Sequence, residues 1–329
     1  MKRVIFWFRN ARPVALPQSL IPGITAVVLA CRESGFSVWL SVLAVFGVSM
    51  AHLSLNLFDD YFDYRKKESG YRDTLAREGI RARTIKCPYL LSGEATMRQL
   101  LRAALLFGCI AAAAGSVILI FRGIVILLIA VLTVLIGLSY SGGPLSLSYH
   151  GFGEFVIGLL FGPLLMIGVY YAACSRFDGN VFWISVGMGM LVVNVLYTHS
   201  VLDYEADIRA GKSTLAAVLP QNRSRYFVSV ALVVCPYIIL AGRIMTDKMT
   251  PWFFLVFLTL PWAVGLLISI KKHLQHPERF EKPAGWWGPM ENWSGIQKIG
   301  IDWFMFRWYL ARNVLMGFGI LCIAASLVL

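Results

Sequence analysis

The sequence predicts an all-α integral membrane protein with nine transmembrane helices, arranged as two four-helix halves plus one around a central cavity open to the cytoplasmic face. Three observations predict it. The 329 residues are 58% hydrophobic and only 15% charged, where soluble domains carry about a quarter charged residues. The apolar residues gather into long runs, each close to the roughly 20 residues that cross a hydrocarbon core. The basic residues then alternate between the two sides of those runs, as cytoplasmic loops enriched in Lys and Arg require.

The runs fall at 17–32, 36–60, 97–121, 123–140, 152–173, 180–203, 224–245, 251–271 and 306–329. The first resembles a signal peptide, and Val28-Leu29-Ala30-Cys31 resembles a lipoprotein cleavage site. Pro13, Pro17 and Pro22 and the eight runs that follow argue that it is retained. With the N-terminus inside, only Arg32, Arg122, Arg176, Arg243 and Lys248 of the 30 basic residues fall on the outer side. That split predicts an odd number of spans, N-in and C-out. The net charge of +12 then reflects topology and attraction to anionic lipid or substrate. Nucleic-acid binding is not expected, because no basic helix or aromatic platform of the usual kind is present.

No soluble domain interrupts the pattern, so residues 1–329 read as one membrane domain. Three cytoplasmic segments are long, 64–96, 204–223 and 272–305, whereas the outer loops are short, which places any site on the cytoplasmic side. The last of these segments holds Trp286, Trp287, Trp293 and Trp303 and reads as an interfacial helix or re-entrant loop, or more sharply as a substrate lid. The six cysteines show no CxxC pair or metal spacing. Cys109, Cys235 and Cys322 sit mid-span as small apolar residues, and Cys31 and Cys174 are not expected to pair.

The chemistry collects at two helix ends. The second span ends in Asn56-Leu-Phe-Asp59-Asp60-Tyr61-Phe-Asp63. At 100° per residue, Asn56, Asp60 and Asp63 lie within about 60° on one face, with Asp59 beside them. Ser49 and His52 carry the polar stripe up into the span. The sixth span ends in Asp203-Tyr-Glu205-Ala-Asp207, where Asp203 and Asp207 are i and i+4 and Glu205 points away. Solvated acids at helix ends are the plain alternative. The helix C-terminus is the negative end of the dipole, however, and disfavours each acid there by about 0.3–1 kcal/mol. Ionisable groups at membrane depth are costly and usually functional. A cation is needed, and hard oxygen ligands suit magnesium, which bridges carboxylates to phosphates. The spacing His52, Asn56, Asp60 also echoes His199, Asp203, Asp207 four spans later, as two related halves would.

Other patterns carry less. Residues 206–213 miss the P-loop because Ala206 stands where glycine is required and a membrane helix precedes it. No HExxH occurs, and His150 and His273 have no ligand partner in sequence. Tyr140-Ser-Gly-Gly-Pro144 is a tight turn that also suits approach of backbone to a phosphate.

Together these residues resemble the UbiA superfamily of intramembrane prenyltransferases, and most closely its 1,4-dihydroxy-2-naphthoate prenyltransferase branch of menaquinone synthesis. The 56–63 segment is similar to NxxNDYxD. Asp203 to Ala216 is similar to DxxxDxxxGKxTLA. Tyr140–Pro144 with Tyr149-His-Gly151-Phe-Gly153-Glu154 is similar to YTGGP…YxGxGE, and Arg12-Pro13 with Leu16-Pro17 to RPxTLP. The motifs run in family order over about residues 10–220. Two positions depart: Asp59 stands where the branch has Asn, and Lys67 where the wider superfamily has a third acid.

The resemblance implies a prenyltransferase that moves a polyprenyl group from its diphosphate to an aromatic acceptor, most closely 1,4-dihydroxy-2-naphthoate, in a bacterial inner membrane. It implies Mg2+ on Asp60, Asp63, Asp203 and Asp207, assisted by Asn56 and Asp59. Arg72, Lys86 and Lys212 are candidates for the phosphate oxygens, Tyr140 and Tyr149 for substrate binding, and Arg12 for the acceptor's carboxylate. Membrane lipid is the surrounding partner, and no obligatory protein partner is evident. Within the fold the rival acceptors are 4-hydroxybenzoate and homogentisate. Outside it, a cation-coupled transporter would place its acids at the bilayer midplane on broken helices, and a CDP-alcohol phosphotransferase would show DGxxAR.

Overall fold

A computed structural model describes residues 2–65, 87–142, 144–209, 211–276 and 285–328. Among these residues every regular element is helical. A short amphipathic helix, α1 (Lys2–Asn10), leads into α2 (Pro17–Ala30), α3 (Val38–Arg65), a single turn α4 (Pro88–Leu91), α5 (Met97–Arg122) and α6 (Ile124–Ser141). The second half holds α7 (Gly153–Cys174), α8 (Gly179–Leu202), α9 (Tyr204–Arg209), α10 (Leu215–Val218), α11 (Asn222–Met245) and α12 (Pro251–Gln275). The short α13 (Trp293–Ile299) precedes α14 (Asp302–Leu327). Arg72 and Lys86 lie outside the described residues.

Eight helices are long and apolar enough to cross a membrane: α3, α5, α6, α7, α8, α11, α12 and α14. They coincide with eight of the nine expected runs. The remaining run is helical too, but α2 has 14 residues, about 21 Å at 1.5 Å per residue, short of a hydrocarbon core of about 30 Å.

Local chemistry explains the boundaries. Thr96 caps α5 with Gln99 in a reciprocal capping box. Gly123, at φ 74°, separates α5 from α6 in a backbone region that favours glycine. Asp178 caps α8 by accepting from the Asn180 and Val181 amides. Within α7, Leu160–Leu164 forms a π-helical turn around Pro163, which absorbs the missing amide of the proline.

The halves pack alike. α3 lies along α5, and α8 lies along α11, while α14 fills between α8, α12 and α2. α8 is the most enclosed span, and Met188, Leu191, Val192 and Tyr197 are fully buried. It meets α7 backbone to backbone. A Cβ on Gly162 would stand 2.5 Å from the Gly189 Cα, and one on Gly158 would stand 2.3 Å from Val193 Cγ2. Small residues four apart permit such an approach in membrane helices.

The last span starts earlier than its apolar run suggests. α14 begins at Asp302 and carries Arg307 and Arg312 into the bundle, where they are 2% and 5% exposed. Arg307 donates to the Ser269 carbonyl, and Arg312 pairs with Glu291 at 3.2 Å and donates to the Pro289 carbonyl. The tryptophan-rich stretch is tied to the same helices. Trp287 packs on Gly265 and Phe306, Trp262 donates to the Trp286 carbonyl, and Asn313 donates to the Trp287 carbonyl.

Candidate active site

A cavity of about 480 Å³ opens between the C-terminal ends of α3 and α8, within the range of small-molecule sites. Its polar end takes Asp59 and Asp63 from α3, Asp207 from α9, and Lys212 from the turn before α10. Arg12, Asn56, Tyr140 and Tyr149 line it as well. The two acidic clusters, separated by some 140 residues of sequence, therefore meet across one space.

The α3 acids are held from the N-terminal side. Arg12 takes a left-handed backbone (φ 59°), which turns its side chain back onto α3. Its Nη2 donates to Asp60 Oδ1 at 3.0 Å, Asp59 Oδ2 at 3.3 Å and the Asn56 carbonyl at 2.7 Å. Asn56 answers by donating to the Ala11 carbonyl at 2.9 Å. Tyr89 of α4 donates to Asp60 Oδ2 at 3.1 Å, Ser141 to Asp59 Oδ1 at 2.9 Å, and Tyr149 to Asp63 Oδ1. Burial works to lower the Arg12 pKa, but the charges of Asp60 and Asp59 overcome it and hold the guanidinium above its ordinary value. Burial, reinforced by the Asp60 charge, pushes the Tyr89 phenol up, so it stays a donor.

The second cluster is built by the turn after α8. Asp203 accepts from His199 Nε2 at 3.1 Å, and Thr214 donates to Asp207 Oδ2 at 3.2 Å. Glu154, at the start of α7 and 5% exposed, accepts from Ser200 at 2.7 Å and from the Leu215 amide at 3.2 and 3.3 Å. It thus locks the α10 turn against α8. Glu205 points away from the cavity, with a side chain 76% exposed.

Asp59 and Asp63 present to the cavity, whereas Asp60 and Asp203, at 4% and 2% exposure, are absent from its wall among the described residues. Also among the described residues, no three acids, histidines or cysteines are close enough to hold a metal by themselves. Magnesium does not require such a cage, since it is commonly bound through one or two carboxylates plus substrate phosphates. The carboxylates on both walls fit that mode.

Sequence reasoning passed over three contributors. Glu154 sits in a quoted motif but was given no role, and its position at the start of an apolar span was the available signal. Ser141 lies within the quoted Tyr140–Pro144 motif, but its bond to Asp59 is tertiary. The wall of α14, made by Phe304, Met305 and Trp308, is brought in by tertiary packing and leaves no local mark.

Comparison with known proteins gives a consistent result. The model of the UbiA prenyltransferase family matches residues 19–287. The chain is 26% identical, over 79% of its length and 80% of the relative, to a Bacillus subtilis (strain 168) protein named 1,4-dihydroxy-2-naphthoate octaprenyltransferase. Its fold is similar to that of digeranylgeranylglyceryl phosphate synthase, with TM-score 0.62 and 17% identity, covering 98% of this chain and 100% of the other. It is also similar to a UbiA homologue from Archaeoglobus fulgidus bound to GPP and Mg2+, with TM-score 0.56 and 16% identity, covering 97% and 99%.

Proposed function

The chain belongs to the UbiA prenyltransferase family and is a membrane prenyltransferase, and on that premise we propose that it transfers a polyprenyl group from polyprenyl diphosphate to 1,4-dihydroxy-2-naphthoate with Mg2+. The observation that carries the proposal is the meeting of Asp59, Asp63, Asp207 and Lys212 in one cavity that Leu55, Leu160, Phe161 and Val195 also line. A diphosphate with a hydrocarbon tail needs both kinds of wall.

In this proposal Asp63 and Asp207 would hold Mg2+, with Asp59 and Asn56 assisting. Asp60 and Asp203 complete the acidic ring, fixed by Arg12, Tyr89 and His199. Bound there, Mg2+ supplies Lewis-acid stabilisation of the departing diphosphate. Lys212, with Arg72 and Lys86, takes the remaining phosphate oxygens. The C–O bond breaks with its electron pair going to diphosphate, and the ring carbon that bears the carboxylate bonds to the allylic carbon. Carbon dioxide then leaves, its C–C bonding pair returning to the ring to restore aromaticity. Tyr140 and Tyr149 wall the reacting end, and Tyr149 also orients Asp63. The tail passes between helices into lipid. The cavity faces the cytoplasm, α2 makes a ninth crossing that its 14 residues achieve only with local thinning of the bilayer, and the protein lies N-in in a bacterial inner membrane.

The deciding assay combines purified protein, Mg2+, labelled geranylgeranyl diphosphate and a panel of aromatic acceptors, with products identified by mass. Prenylated, decarboxylated dihydroxynaphthoate is the expected product. Preference for 4-hydroxybenzoate or homogentisate would refute the acceptor assignment, and no transfer to any ring would refute the reading altogether.

A further inference from the structure

His52 stands apart from the acids. It lies on α3 seven residues before Asp59, about 10 Å up the helix axis. It is 4% exposed yet lines the cavity. Leu55, Leu160, Phe161 and Val195 line the same cavity, and the His52 ring centre is 4.5 Å from that of Phe161. A polar ring among hydrocarbon side chains is costly unless its nitrogens are bonded.

One nitrogen is bonded. His52 Nδ1 lies 2.8 Å from Ser19 Oγ, and Ser19, on α2, is 1% exposed. The same hydroxyl is 3.0 Å from the Leu16 carbonyl oxygen, which can only accept. A hydroxyl has a single proton. Both contacts are attractive together only when that proton goes to Leu16 and Nδ1–H donates to Ser19. The tautomer is thereby set with Nε2 as the acceptor, on a ring that lines the cavity.

We propose that His52 Nε2 accepts a hydrogen bond from a ring hydroxyl of the aromatic acceptor, which makes His52 a specificity-determining residue and Ser19 its positioning partner. The inference rests on the reading of the cavity as a prenyl-transfer site and adds which acceptor group is recognised deep within it. The other occupants do not match this atom. A prenyl tail has no polar group to offer. A diphosphate is an anion that needs donors, and a bare nitrogen lone pair repels it. A phenolic hydroxyl is a donor on an apolar ring, which suits both Nε2 and the Phe161 face.

The test is steady-state kinetics with purified wild type, His52→Leu, His52→Gln and Ser19→Ala. The substrates are a dihydroxylated acceptor and each of its mono-O-methyl ethers. His52→Leu is expected to lower kcat/KM for the dihydroxylated acceptor by about 10- to 100-fold, the value of one buried hydrogen bond, with KM for the prenyl diphosphate nearly unchanged. One of the ethers should be as poor for wild type and no poorer for His52→Leu, because the bond is already absent. His52→Gln, which keeps an acceptor oxygen, should recover part of the loss, and Ser19→Ala should show a smaller defect confined to the acceptor. Losses that multiply for both ethers, or a diphosphate KM that rises with the acceptor KM, would overturn the assignment. If wild type transfers to hydroxylated rings and all three variants match it, His52 loses this role while the function stands. If wild type transfers to none, both readings fall together.

Discussion

Replacing Glu154 by alanine should unfasten the turn that carries half of the site. The carboxylate accepts from the Leu215 amide at 3.2 and 3.3 Å and from Ser200 at 2.7 Å. Ser200 also reaches the Leu196 carbonyl at 3.2 Å, so its hydroxyl has a second acceptor. Leu215 opens α10, where amides have no partner inside the helix, and it depends on Glu154. A buried donor left without an acceptor costs about 1–3 kcal/mol, and bonds to a charged group contribute about 1.5–3 kcal/mol. Glu154→Ala should therefore destabilise by about 2–4 kcal/mol, and Glu154→Gln, which keeps one acceptor oxygen in place, by about 1 kcal/mol. Because Thr214 and Asp207 belong to the same turn, a displacement there of order 1 Å lowers turnover by about 100-fold in the alanine variant. Chemical unfolding in detergent gives the first quantity, and turnover at a temperature where both variants remain folded gives the second. Equal damage from glutamine and alanine would refute the reasoning, since it would mean that the charge, and not the acceptor at Leu215, is what matters.

Asp63→Ala and Asp207→Ala should each abolish turnover in a protein that remains folded, whereas Glu205→Ala should be mild; equal losses in a radiolabel transfer assay would contradict the helical-face assignment. A polyprenyl thiodiphosphate should raise the melting temperature only with Mg2+, by an amount equivalent to about 2.7 kcal/mol at a hundredfold excess over Kd, and either Asp63→Asn or Asp207→Asn should remove most of that shift. Arg12→Gln removes the partner of Asp59 and Asp60, a pair that is only partly exposed, and should cost about 2 kcal/mol. Mg2+ should then stabilise this variant more than wild type, because the acids it meets are less neutralised; a smaller Mg2+ effect would count against the proposed metal position. Cysteines placed at 33–35 and 176–179 should be labelled from outside intact cells and those at 211–222 should not, and the reverse pattern would invert the proposed orientation.

The spans and both acidic motifs are legible in the sequence because they are local. Apolar runs fix helices directly, and the i, i+3, i+4 spacing of Asn56, Asp59, Asp60 and Asp63 fixes their common face. Which of those acids turn toward the cavity is not local. It depends on Arg12, whose backbone sits in a conformation rare for that residue type, and on Tyr89 and Ser141 arriving from elsewhere in the chain. The first span is already the shortest run, 17–32, and the chain enters it through a short 3-10 turn at Pro13–Ala15, so that α2 keeps 14 residues. Arg307 and Arg312 fall inside the run 306–329 yet count with the cytoplasmic charges in the topology pattern, and they are buried because carbonyls and Glu291 satisfy them.

The seam at Gly158, Gly162 and Gly189 limits how this scaffold could be reshaped. A side chain there would displace main chain, and α7 leads down to Glu154 while α8 leads down to Asp203. Selection or engineering for a bulkier acceptor has no room to enlarge the cavity by repacking at that crossing. The adjustable wall is the opposite one, where Met305 and Trp308 of α14 present long side chains to the same space. Variation in substrate preference should therefore accumulate on α14, in positions far in sequence from either aspartate motif.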